Sequence, residues 1–191
     1  MGQYYMPIFG NVYGGQCKVF DRSVNGEYTF AKLLEHSWWN NTFVNAFSEF
    51  LYNNPSRVCW VGDYATEPDD FNLNVPAAIT RPNYKKVWGK NVTLLTCAPS
   101  DFTLDGKFLV NFDTRQFIDL DEYTANSVGS DGWTIHPLPL LTAIGNGRGG
   151  GDFHKGVGYE HIGSWAWQLL AFFDQPPKNF SKVNIRFVEK R

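Results

Sequence analysis

A chain of 191 residues in which 43% are hydrophobic, 17% aromatic and 19% charged has enough apolar surface for one buried core, and its composition is far from that of a disordered chain. Its formal charge of −2 and pI near 6.1 supply no whole-molecule field for nucleic acid or an anionic membrane, so bulk nucleic-acid binding is not expected. The apolar runs fall far short of the ~20 residues of a membrane span, Met1 to Pro7 has no signal-peptide pattern, and Cys17, Cys59 and Cys97 are odd in number without CxxC spacing. The expectation is a single cytoplasmic domain over residues 1–191, with no membrane contact and with reduced, mostly buried thiols.

Tyr4 to Phe20 is rich in β-formers interrupted by Gly10-Asn11 and Gly14-Gly15, which predicts a strand pair with a loose connection. Thr29 is placed to cap a short helix over Phe30 to His36. The clearest helix runs from Thr42 to Tyr52: Phe43, Val44, Phe47, Phe50 and Leu51 build one apolar stripe, Asn41 is the N-cap and Asn53-Asn54-Pro55 the stop. Arg57 to Tyr64 predicts a buried strand and Asn91 to Cys97 another, with Pro76, Pro82 and Pro99 as breaks.

Lys107 to Phe112 and Gln116 to Leu120 flank Asp113-Thr114-Arg115 as a hairpin. Period-two alternation predicts strands at Trp165 to Phe173, where a helix is the alternative, and at Val183 to Phe187. Together the elements predict an α+β fold, mainly antiparallel sheet with one or two packed helices.

The unusual stretch is Gly145-Asn146-Gly147-Arg148-Gly149-Gly150-Gly151-Asp152, which opens with five glycines in seven residues. Glycine at positive φ lets backbone N–H groups converge on an anion, and Arg148 adds a bidentate donor for phosphate or carboxylate. No GK[ST] follows, and the glycine spacing is not that of a dinucleotide fold, so neither familiar nucleotide loop is present. A tightly folded surface turn is the competing account.

Asp63, at the predicted C-terminal end of a strand, either faces a ligand or caps the following turn. His136, Asp152, His154, Glu160 and His161 flank the loop with side chains of the metal-binding and acid–base types, but no HExxH or HxH spacing marks them as convergent. His36 is expected to be structural, and Glu67, Asp69 and Asp70 a solvated acidic loop.

Met1-Gly2-Gln3-Tyr4-Tyr5, Glu35-His36-Ser37-Trp38 with Phe43-Val44-Asn45-Ala46, and Trp60-Val61-Gly62-Asp63-Tyr64-Ala65 carry a resemblance that continues through the second half. There it runs through Leu109-Val110-Asn111, Leu138-Pro139-Leu140-Leu141-Thr142 with the glycine loop, and Gly163-Ser164-Trp165-Ala166. In these segments the chain resembles, over nearly its full length, an uncharacterised family of Firmicute and phage proteins. The resemblance implies a mobile-element setting and no particular activity.

The leading expectation is a protein that binds a small anionic, nucleotide-like ligand, with no cofactor named by the sequence and with Arg148 and the amides of Gly149, Gly150 and Gly151 on the anion. Asp63, His136, Asn146 and Asp152 complete the expected site. The alternatives are a metal-assisted phosphoesterase and an interaction module that inhibits a host defence protein.

Overall fold

A computed structural model describes residues 3–10, 32–62, 100–145, 153 and 156–189, together with the backbone of 18–21 and 93–96. In chain order the strands are β1 (Tyr5–Gly10), β2 (Lys18–Asp21), β3 (Ser56–Gly62), β4 (Thr93–Thr96), β5 (Phe108–Asn111), β6 (Gln116–Asp119), β7 (Ala143–Ile144), β8 (Gly156–Val157), β9 (Gln168–Phe173), β10 (Ser181–Lys182) and β11 (Val188–Glu189). The helices are α1 (Leu33–His36), α2 (Thr42–Leu51), α3 (Leu120–Asn126) and α4 (Pro137–Leu141), and Tyr159–His161 forms a 3₁₀ turn. The fold is α+β, as the sequence predicts.

Among the described residues nine strands form one mixed, mostly antiparallel sheet in the order β10-β6-β5-β9-β3-β1-β2-β4, with β7 added beside β3; β8 and β11 pair separately. β3 is the hub. One edge pairs antiparallel with β1 from Tyr5↔Gly62 to Gly10↔Arg57. The other edge is divided: Ser56 to Val58 pair antiparallel with β9, while Trp60 and Val61 pair parallel with Ala143 and Ile144 of β7. All seven β3 residues are buried, which explains why Val58-Cys59-Trp60-Val61 reads as a continuous apolar run rather than an alternation.

α2 forms where its stripe predicts. Asn41 Oδ1 accepts from the amides of Phe43 at 3.0 Å and Val44 at 3.2 Å. Phe43, Val44, Phe47 and Leu51 are buried, with the Phe47 ring edge-on to Trp60 at 5.3 Å. The helix stops at Tyr52, and Asn53 turns the chain with φ 53°.

Several local expectations shift. The first helix is a single turn beginning after Lys32, whose amide donates to Glu35 Oε2 at 3.0 Å; Thr29 lies outside the described residues. The expected strand at Trp165 starts only at Gln168, because Trp165, Ala166 and Trp167 are all buried within turns and Trp167 has φ 59°. Val183 to Phe187 keeps its inward–outward alternation but joins no ladder among the described residues, where only Ser181–Lys182 and Val188–Glu189 on either side are strands. α3 and α4 are additional elements.

At the opposite end of β3 from Gly62, Arg57 is 8% exposed and donates to Asp113 Oδ2 at 2.7 Å and to the Trp167 carbonyl at 3.1 Å. Asp113 Oδ2 also accepts from the Leu169 amide at 3.3 Å, so one carboxylate ties the β5–β6 turn to β3 and β9. Asn111 Oδ1 shapes that turn by accepting from the amides of Asp113 and Thr114. Asp113→Ala is expected to cost about 3 kcal/mol, since it strands a buried guanidinium, against about 1 kcal/mol for Asn41→Ala at the α2 cap. Urea unfolding followed by tryptophan fluorescence ranks the two; a near-neutral Asp113→Ala contradicts the anchoring role.

Candidate functional site

Because β7 runs parallel to the second half of β3, both strands finish at the same end of the sheet. Gly62 closes β3, and Gly145 follows directly on β7. The antiparallel partner β1 brings its first residues to the same place: Tyr5 is opposite Gly62, and the buried Gln3 precedes it. Tyr5 Oη donates to Gln3 Oε1 at 3.1 Å.

Both glycines are packed against this pair. A Cβ on Gly62 would lie 2.6 Å from Gln3 Cδ and 2.9 Å from Gln3 Cγ, and one on Gly145 would lie 2.6 Å from Gln3 Oε1 and collide with Tyr5 Oη. Close approach, rather than positive φ, therefore demands glycine at these two positions.

Asp63 is the next residue after Gly62, and Asn146 the next after Gly145. Asp63, Asn146, Arg148, Gly149, Gly150, Gly151, Asp152 and His154 lie outside the described residues. Both borders of the loop are anchored. Gly145 rests on Gln3 and Tyr5, and Phe153 is buried with its ring edge-on to Phe187 at 5.9 Å.

His136 sits apart from solvent. It is the N-cap of α4, where its Nδ1 accepts from the Leu138 amide at 3.1 Å; its Nε2 is 3.5 Å from Ser48 Oγ. Its ring stacks on Trp39 at 5.3 Å and meets Phe172 edge-on at 6.3 Å. Burial without a compensating charge pushes the imidazole down to about 3, so at neutral pH the ring is uncharged. The described geometry gives His136 a capping and packing role in place of the ligand-orienting one expected from its sequence position.

His36 is also buried. Its Nε2 accepts the Trp60 indole N–H at 2.6 Å, which assigns the ring proton of the neutral form to Nδ1. Glu160 and His161 lie on the 3₁₀ turn, 3.7 Å apart and partly to largely exposed. Among the described residues no three His, Cys, Asp or Glu side chains group in a way that would hold a metal.

Sequence reasoning missed Gln3 as the floor under the two glycines. The only available signal was an amide embedded beside the apolar run Tyr4 to Phe9. It also left Trp133 undistinguished among the many aromatics. Trp133 is 55% exposed on a tight turn: the Gly129 amide donates to its carbonyl at 2.8 Å, Asp131 Oδ1 accepts from its amide, and its ring is 5.1 Å from Trp38.

No helix among the described residues is long and apolar enough to cross a membrane. No family model, curated protein or solved structure matches the chain.

Gly62→Ala is expected to cost about 2 kcal/mol through overpacking, and Gln3→Ala in the same chain to restore part of that loss. Thermal unfolding of the two single variants and the double variant tests this; strictly additive costs contradict the contact. For His136 the folded value near 3 lies below the ~6.5 of an unfolded histidine. As pH falls from about 6.5 towards 3, the unfolded chain takes up a proton that the folded chain refuses, and stability drops by up to about 1.4 kcal/mol per pH unit. Above that window the group contributes no pH dependence. Denaturation midpoints for wild type and His136→Asn, which retains a capping acceptor, should converge as pH falls; parallel profiles contradict the assignment.

Proposed function

We propose that the protein binds a small anionic ligand of nucleotide-like chemistry at the end of the sheet where β3 and β7 finish together. The observation that carries this reading is the parallel pairing of Trp60 and Val61 with Ala143 and Ile144, from which the chain continues into Asp63 on one side and the glycine loop on the other. Ligands of open sheets gather at the carboxyl ends of parallel strands, where successive loops leave side by side. Arg148 supplies the bidentate donor, Gly149, Gly150 and Gly151 contribute main-chain N–H donors, and Asp63, Asn146 and Asp152 orient the rest of the ligand.

His136 contributes by holding α4, which leads into β7, rather than by touching the ligand. A mobile-element setting, and action against a host defence that uses a nucleotide signal, fit a ligand of this kind.

A second reading, an interaction module directed at a host defence protein, draws on Trp133. A tryptophan presented on a well-bonded turn loses little conformational freedom on binding, which is how aromatic residues come to dominate interfaces. Nothing in the described geometry favours a metal-assisted phosphoesterase over these two.

Native mass spectrometry of gently purified protein, followed by calorimetry against mono-, di- and cyclic nucleotides, tests the first reading. The expected result is one bound nucleotide class whose affinity falls at least about tenfold in Arg148→Ala, the equivalent of about 1.4 kcal/mol. Binding unchanged by Arg148→Ala removes the site assignment. No nucleotide bound, together with a host protein captured by wild type and lost in Trp133→Ala, selects the second reading.

A further inference from the structure

We propose that the groove between α3 and the extended segment Val183 to Phe187 binds a peptide segment of a partner protein in extended conformation, with an apolar residue followed by an acidic one. The groove has a volume of about 310 Å³, at the lower end of the ~300–1,000 Å³ typical of ligand sites. Ile118, Val183 and Ile185 contribute the aliphatic part of its lining, and Glu122, Asn126 and Arg186 are among its polar lining residues.

The segment Val183 to Phe187 has a strand-like alternation of burial and no strand partner among the described residues. Val183 donates its amide to the Phe117 carbonyl at 2.9 Å, on the β6 side. Phe187, four residues on, engages Tyr123 of α3 through its backbone. Successive residues of an extended chain present their amides alternately to opposite sides, so Ile185, midway between the anchors, turns its main chain into the groove. No hydrogen bond of the Ile185 amide is found among the described residues.

Side chains follow the same parity. Val183 and Ile185 pack on the core, Phe187 is buried, and Asn184 and Arg186 are exposed. A strand-like chain with an open main-chain pair beside an aliphatic lining is the geometry that an added peptide strand completes: main-chain bonds give affinity, and alternate side chains give specificity.

Charge selects the peptide. Lys182 bonds to Glu122 Oε2 and lies 3.6 Å from Asp119 Oδ2, so these carboxylates already have their cation. Arg186 is exposed and has no carboxylate partner among the described residues. An acidic side chain beside the apolar residue would supply it, and a basic one would be repelled.

The test uses the full chain and two blocked dipeptides, acetyl-isoleucyl-glutamate methylamide and its lysine counterpart, followed by ¹H–¹⁵N chemical shifts. The expected result is a saturable shift of the Ile185 amide with the glutamate peptide and at least about tenfold weaker binding of the lysine peptide. Arg186→Gln, an exposed substitution, should abolish that preference and leave resonances remote from the groove in place. An Ile185 amide unmoved at millimolar peptide, equal affinity for both peptides, or a preference that survives Arg186→Gln overturns the proposal.

Discussion

The division of one edge of β3 between two partners is the constraint on which the architecture turns. A strand buried along its whole length must satisfy every backbone group on both edges, because an unpaired buried amide costs as much as a lost hydrogen bond. β1 satisfies one edge throughout. β9 satisfies the other only as far as Val58, and β7 takes over from Trp60 in the opposite sense. The Trp60 amide meets the Thr142 carbonyl at 2.8 Å at that handover. This switch in strand direction places the start of the glycine loop beside the end of β3.

The two ends of β3 solve different problems. At Arg57 a buried cation is met by Asp113 and by the Trp167 carbonyl, and Trp167 itself sits in a left-handed backbone conformation that bulky residues rarely adopt. That end is tied down by charge. At Gly62 the packing is steric: two residues without side chains let Gln3 and Tyr5 lie across the strand ends. The first end joins β5, β6 and β9 to the hub, and the second is where the chain continues in sequence to Asp63 and to the glycine loop.

What the sequence made legible was local. α2 carried its own cap, stripe and stop; β3 was a continuous apolar run; and the β5–β6 hairpin had β-prone flanks around a three-residue turn. α3 escaped because Leu120 and Tyr123 are its only buried residues, too few to make a stripe. α4 escaped because Pro137 and Pro139 look like breakers, although proline is tolerated in a first helical turn, where amides have no helical partner anyway.

The period-two pattern at Val183 to Phe187 predicted the facing of its side chains correctly but not whether a partner strand would be present, which is a property of tertiary structure. For the same reason His136, adjacent to the loop in sequence, proved to belong to the core, while Gln3, distant in sequence, proved to lie under the loop's first glycine.

The central claim is that the ends of β3 and β7 form one ligand-bearing unit. Its most direct measurement follows the Gly62 and Gly145 amide resonances together during titration with a nucleotide. The account predicts that both shift along a single saturation curve with one dissociation constant. Two unrelated curves, or a nucleotide that binds while both amides stay fixed, would contradict it.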